Sequence, residues 1–90
     1  MSLHRTDSDC AIIKKVLAGD VDAFEELLNT YYHHVVNVVK NHVPYNDIEE
    51  VTQEVFVRAY QSLPTFKNKS SFQQWLSKIA VRTFYDFFRT

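Results

Sequence analysis

The sequence predicts an all-α fold, a compact bundle of about four helices, and three observations carry that expectation. One Gly and two Pro in 90 residues leave little material for turns, which favours a few long helices with short connections. The apolar residues recur at three- and four-residue spacing, the β-branched runs included, where strands would alternate. With 46% of residues hydrophobic, seven Phe, five Tyr and one Trp among them, a chain of single-domain length has the bulk for a dense core.

Asp7-Ser8-Asp9 offers N-caps for a first helix, Ile12, Ile13, Val16 and Leu17 form its apolar stripe, and Gly19 is its stop. Asp20 caps a second helix of about 20 residues, with Asp22, Glu25 and Glu26 near its positive end. In that helix Phe24, Leu27, Leu28, Tyr31, Tyr32, Val35, Val38, Val39 and His42 keep helical spacing up to Pro44.

The third helix is the organising stretch. From Asp47 to Leu63 there is no Gly or Pro, and Pro44 and Pro64 bound it. Asp47 and Glu50 stand at the spacing of a capping box. At about 100° per residue, Ile48, Val51, Thr52, Val55, Phe56, Ala59 and Leu63 fall in one arc of roughly 140°, a core face. Glu50, Gln53, Glu54, Val57 and Gln61 fall in a separate arc of about 100°, acidic and amide-rich with an aliphatic centre. Taken alone, that second arc reads as an ordinary solvated face.

Pro64-Thr65-Phe66-Lys67-Asn68-Lys69-Ser70-Ser71 reads as a loop. Ser70 with Gln73 forms a capping box for a fourth helix carrying Phe72, Trp75, Leu76, Ile79, Ala80, Thr83, Phe84, Phe87 and Phe88. Lys78, Arg82 and Arg89, four and seven residues apart, make a basic stripe along it.

The net charge of −1 is unevenly spread. Residues 1–63 hold five Lys and Arg against ten Asp and Glu, a net −5, and residues 64–90 hold five against one, a net +4. An acidic body with a basic end suggests two different partners, the basic end suiting a polyanion.

Several function classes find no support. The single Cys10 has no partner for an internal disulfide and no zinc spacing. His33 and His34 point about 100° apart on a helix, so they do not share a metal site. No phosphate loop, nucleophile grouping or metal set occurs, so no catalytic residue and no cofactor is assigned. The N-terminus lacks a signal-peptide pattern, and no apolar stretch approaches transmembrane length, so no membrane insertion is expected and the setting reads as the cytoplasm.

The string Asp47-Ile48-Glu49-Glu50-Val51-Thr52-Gln53-Glu54-Val55-Phe56 resembles the Asp-Ala-Glu-Asp-Leu-Thr-Gln-Glu-Val-Phe signature of bacterial RNA polymerase sigma factors of the extracytoplasmic-function group. Gly19-Asp20 with Ala23-Phe24-Glu25-Glu26-Leu27 is similar to a segment of the same group, as are Phe72-x-x-Trp75-Leu76-x-x-Ile79-Ala80 and Asp86-x-x-Arg89. The resemblance spans about residues 7–89 and implies the family's first folded domain, so residues 1–90 are expected to be one sigma region 2 domain. The family's helix-turn-helix domain, which reads the minus-thirty-five element, is expected to lie outside these residues, so the chain reads as a fragment cut at a domain boundary.

The resemblance implies a transcription initiation factor domain with two partners. Glu50, Gln53, Glu54 and Val57 would dock on the clamp of the largest subunit of the RNA polymerase core. The loop and fourth helix would recognise and melt the minus-ten promoter element, holding its non-template strand. An anti-sigma factor is a further partner the family allows.

Opening a strand needs cations for the phosphates and a surface for an unstacked base. Lys67, Lys69, Lys78 and Arg82 supply the first. Phe66 is a candidate platform, and Trp75 is a second whose helical spacing equally suits the core. Asn68, Ser70 and Ser71 could hydrogen-bond a base. Arg82 stands where many members of the family have Asn, which leaves base preference at that position open. The alternatives are a helical protein-interaction domain without nucleic-acid binding, which leaves the charge split unexplained, and a helix-turn-helix duplex reader. The short Gly turn the latter needs occurs only at Gly19-Asp20, ahead of an acidic helix.

Overall fold

In the computed structural model, which describes residues 5–67 and 69–89, four α-helices follow one another: α1 (Arg5–Leu17), α2 (Phe24–Val39), α3 (Ile48–Ser62) and α4 (Phe72–Phe87). Short 3-10 turns at Val21–Ala23, Tyr45–Asp47 and Leu63–Thr65 lie between them. The expected bundle is the fold. Helices α2, α3 and α4 pack against one another, and α1 lies against α2 and the 3-10 turn before it.

Helix α1 begins at Arg5, so positions 7 and 9 lie within the helix and not at its N-cap. Asp9 is buried, and its carboxylate accepts a hydrogen bond from the Tyr31 hydroxyl of α2. A buried carboxylate needs such a partner, which makes this residue a tie between helices. Ile13 and Val16 are buried and Ile12 partly so, but Leu17 is 51% exposed, a correction to the expected stripe. The helix has already turned away from the core in its last residue. Gly19 ends it at φ +114°, with the Gly19 amide donating to Val16 O and the Asp20 amide to Lys15 O, both at 3.0 Å. That double bond pattern is a Schellman stop, and its left-handed residue favours glycine.

Asp20 caps as expected, accepting from the Ala23 amide at 3.3 Å, but the first turn is 3-10 and α2 proper starts at Phe24. Leu27, Tyr31, Val35 and Val39 form its buried row. His42 lies past the helix end and is exposed, its ring stacked at 4.5 Å on Phe84 of α4.

Helix α3 has the expected phase. Val51, Thr52, Val55, Phe56, Ala59 and Leu63 are buried and Ile48 is partly so, while Glu50, Gln53, Glu54, Val57 and Gln61 are exposed. Its expected capping box does not form. Asp47 closes a 3-10 turn, its amide donating to Pro44 O at 2.9 Å, and it sits at φ −104°, ψ −3°, with no side-chain cap bond. A capping side chain needs the extended backbone of a true N-cap to reach back over the first turn.

The cap of α4 forms one residue later than expected, without the reciprocal half of a box. Ser71, extended at ψ 157°, accepts from the Gln74 amide at 3.1 Å. Ser70 donates its hydroxyl to Ser71 O, and the Gln73 amide reaches His34 Nδ1 at 3.4 Å. Phe72, Leu76, Ala80, Thr83 and Phe84 are buried, whereas Phe88, expected on the apolar face, is 51% exposed beyond the helix end.

Candidate nucleic-acid interface and docking face

The loop before α4 rests on a cluster of rings. Phe66 meets Phe72 edge-on at 5.8 Å and Trp75 at 5.2 Å, Phe72 lies 5.5 Å from Trp75, and Tyr31 of α2 lies 5.3 Å from Phe72 on its other side. Phe66 is therefore half-buried against the core, its ring packed against two neighbours. Trp75 is also half-buried, yet one side of it lines an open cleft between α3 and α4. Ser71 has its hydroxyl committed to the helix cap. Lys67 and Lys69 are exposed, Ser70 is partly so, and Asn68 lies outside the described residues.

The cleft measures about 300 Å³, and besides Trp75 it is lined by Lys78, Ile79 and Arg82 of α4. From α3 come Arg58, Gln61 and Ser62, of which sequence reasoning placed only Gln61, and that on the acidic arc. Their spacing of three and four residues puts them on one side of α3, but nothing in the chain says which helix that side meets. Its volume is at the small end of ligand sites, with an aromatic wall, amide and hydroxyl groups, and three cations. Beyond it, Lys78, Arg82 and Tyr85 of α4, with Arg89 past the helix end, line a shallow groove. Lys78 and Arg82 are exposed and take part in no ion pair among the described residues.

Arg58 is held at two points. Its Nε donates to Glu54 Oε2 at 3.1 Å and its Nη1 to Asp86 Oδ2 on α4 at 2.8 Å. The Asp86 carboxylate, and after it that of Glu54, push the guanidinium pKa above its ordinary value.

On the outer side of α3, Glu50, Gln53, Glu54 and Val57 share one exposed face, Val57 at 48%. Gln53 Nε2 donates to Glu49 Oε2 at 3.4 Å. Val57 also lines a groove of about 590 Å³ with Phe24, Leu28, Phe56 and Tyr60, rimmed by Asp22 and Glu25. The apolar part of this face thus extends to the start of α2, which the phase of a single helix cannot reveal.

His33 and His34 diverge. His34 Nε2 lies 2.7 Å from Ser77 Oγ on α4, while the His33 ring lies against Tyr32. Among the described residues no group of three potential metal ligands converges, and no helix is long and apolar enough to cross a membrane.

A helical module with an acidic face and a separate basic cleft is a two-surface binding domain. The Sigma-70 region 2 family matches residues 27–90, and the chain belongs to that family. It is 40% identical over 76 residues to the ECF RNA polymerase sigma-E factors of Escherichia coli K12 and of Haemophilus influenzae, covering 84% of this chain and 40% of each relative. The chain thus spans about two-fifths of the length of these curated relatives. An engineered region 2 of sigmaE, solved by NMR in complex with GTAAAA, superposes with a TM-score of 0.83 at 36% identity, over 97% of this chain and 90% of that one.

Proposed function

We propose that this chain is the region 2 domain of an extracytoplasmic-function sigma factor, a binding module without catalysis. In this reading it docks on the RNA polymerase core through α3 and holds the opened minus-ten promoter element on α4 and the loop before it. The observation that carries the reading is the separation of the two charged surfaces onto neighbouring helices, in a fold shared with a region 2 solved in complex with GTAAAA.

The chemistry follows from the side chains. Glu50, Gln53, Glu54 and Val57 offer carboxylates and amides around an aliphatic centre, suited to a basic, partly apolar surface such as the polymerase clamp. On the other side, Lys67, Lys69 and Lys78 hold phosphates without reading sequence. An extruded base stacks on the open side of Trp75, a contact worth about 1–3 kcal/mol and comparable to the cost of unstacking it. In this reading Ser70 and Asn68 supply hydrogen-bonding groups to the base, and Arg82 can meet a base edge with two donors. The cellular setting we assign is the cytoplasm.

A fluorescence-anisotropy titration of the 90-residue chain with single-stranded GTAAAA and a scrambled control, with and without polymerase core, tests this. The expected result is tighter binding of GTAAAA, strengthened by core. Equal, salt-insensitive binding of both strands under both conditions would return the chain to a protein-interaction domain.

A further inference from the structure

Arg58 stands between the two surfaces. One hydrogen bond ties it to Glu54, on the acidic face, and the other to Asp86, on the helix that carries the basic groove. It also lines the cleft with Trp75, Lys78 and Arg82. Building on the two binding faces proposed above, we infer that Arg58 is a further nucleic-acid contact and that Glu54 governs its availability: a polymerase cation pairing with Glu54 releases the guanidinium to the DNA cleft.

The geometry supplies the reasons. A phosphate or base edge is gripped best by two parallel donors of one guanidinium. Glu54 occupies Nε, so one such fork is withheld. Two carboxylates also outweigh the single charge of Arg58, which leaves the cleft dependent on Lys78 and Arg82. The two bonds differ in how easily they yield. The bond to Glu54 is an i,i+4 pair on one helix with Glu54 49% exposed, the kind of pair that an approaching cation displaces. Asp86 is almost as exposed, at 42%, but its bond is the shorter at 2.8 Å and joins two helices, so it is the pivot that keeps Arg58 over the cleft. Docking on one face therefore adds one cation to the other without a change of backbone.

The test compares two charge removals on the same arc. Glu54→Gln frees Arg58, while Glu50→Gln removes the same charge from a residue that does not bond Arg58. Each is made alone and together with Arg58→Gln, and salt series of anisotropy are recorded with labelled single-stranded GTAAAA. Glu54→Gln is expected to tighten binding about threefold and to steepen the salt slope by about 0.7, with Glu50→Gln giving less than half of either change. On the Arg58→Gln background the two should become equal. Arg58→Lys, which keeps the charge and loses the fork, should retain the slope change and lose most of the added affinity; it also carries the comparison if Arg58→Gln fails to fold. If Glu54→Gln and Glu50→Gln act alike in the wild-type background while GTAAAA still binds in preference to the scrambled strand, the role of Arg58 is overturned and the DNA reading stands. If the wild-type chain shows no preference for GTAAAA with or without polymerase core, the DNA reading falls and the role of Arg58 falls with it.

Discussion

The outer faces of α3 and α4 carry opposite charge and are built in different ways. The acidic face of α3 is a property of one helix: its phase buries Val51, Val55 and Phe56 and so presents Glu50, Gln53, Glu54 and Val57 to solvent. The basic surface is composite. Its cleft takes Trp75, Lys78 and Arg82 from α4 and Arg58, Gln61 and Ser62 from α3, above rings contributed by α2, the loop and α4. A single-helix face tolerates change at one residue without moving the others. A composite one depends on what packs beneath it.

The largest effect that can break this comparison lies in the shared core. Phe56→Ala and Phe72→Ala should each cost about 3–5 kcal/mol in denaturant unfolding, since both rings are buried. Of the two, only Phe72 pairs its ring with Trp75, the one tryptophan of the chain. Native-state emission should therefore shift to the red in Phe72→Ala and stay in place in Phe56→Ala. Equal shifts would show that the aromatic cluster is no separate unit.

Next in size is the docking face. Glu54→Lys should weaken polymerase binding about tenfold, near 1.4 kcal/mol, and leave unfolding within about 0.5 kcal/mol of wild type, because the side chain is exposed. A loss of stability as large as the loss of binding would make Glu54 structural.

The cap of α4 gives a smaller effect with a sharp contrast. Ser71→Ala should lose about 1 kcal/mol in thermal or denaturant unfolding, while Ser70→Ala, which leaves the Ser71 bond to the Gln74 amide intact, should lose only a few tenths. The reverse order would restore the cap to Ser70.

The smallest expected change is a gain. Thr52 is fully buried in the core face of α3, and its hydroxyl has no hydrogen-bond partner among the described residues. Thr52→Val removes that unmet donor at nearly constant shape and should stabilise the chain by up to about 1 kcal/mol in denaturant unfolding. A loss would mean that the hydroxyl is satisfied in solution.

The chain by itself determined what depends on periodicity and local backbone chemistry. The four helices, the buried row of α3, the left-handed stop at Gly19 and the division of charge are legible because each depends on neighbours within one or two turns. The tertiary structure alone decided what depends on which faces meet. It turned Asp9 from a cap into the partner of Tyr31, drew Phe66 onto Phe72 and Trp75, and moved the α4 cap to Ser71. It also set Arg58 between Glu54 and Asp86, 28 residues apart from the latter in the chain. Spacing along a helix ranks its residues by direction, but a direction becomes a core, a cleft or a surface only when another helix packs against it, and that contact is a property of the whole bundle.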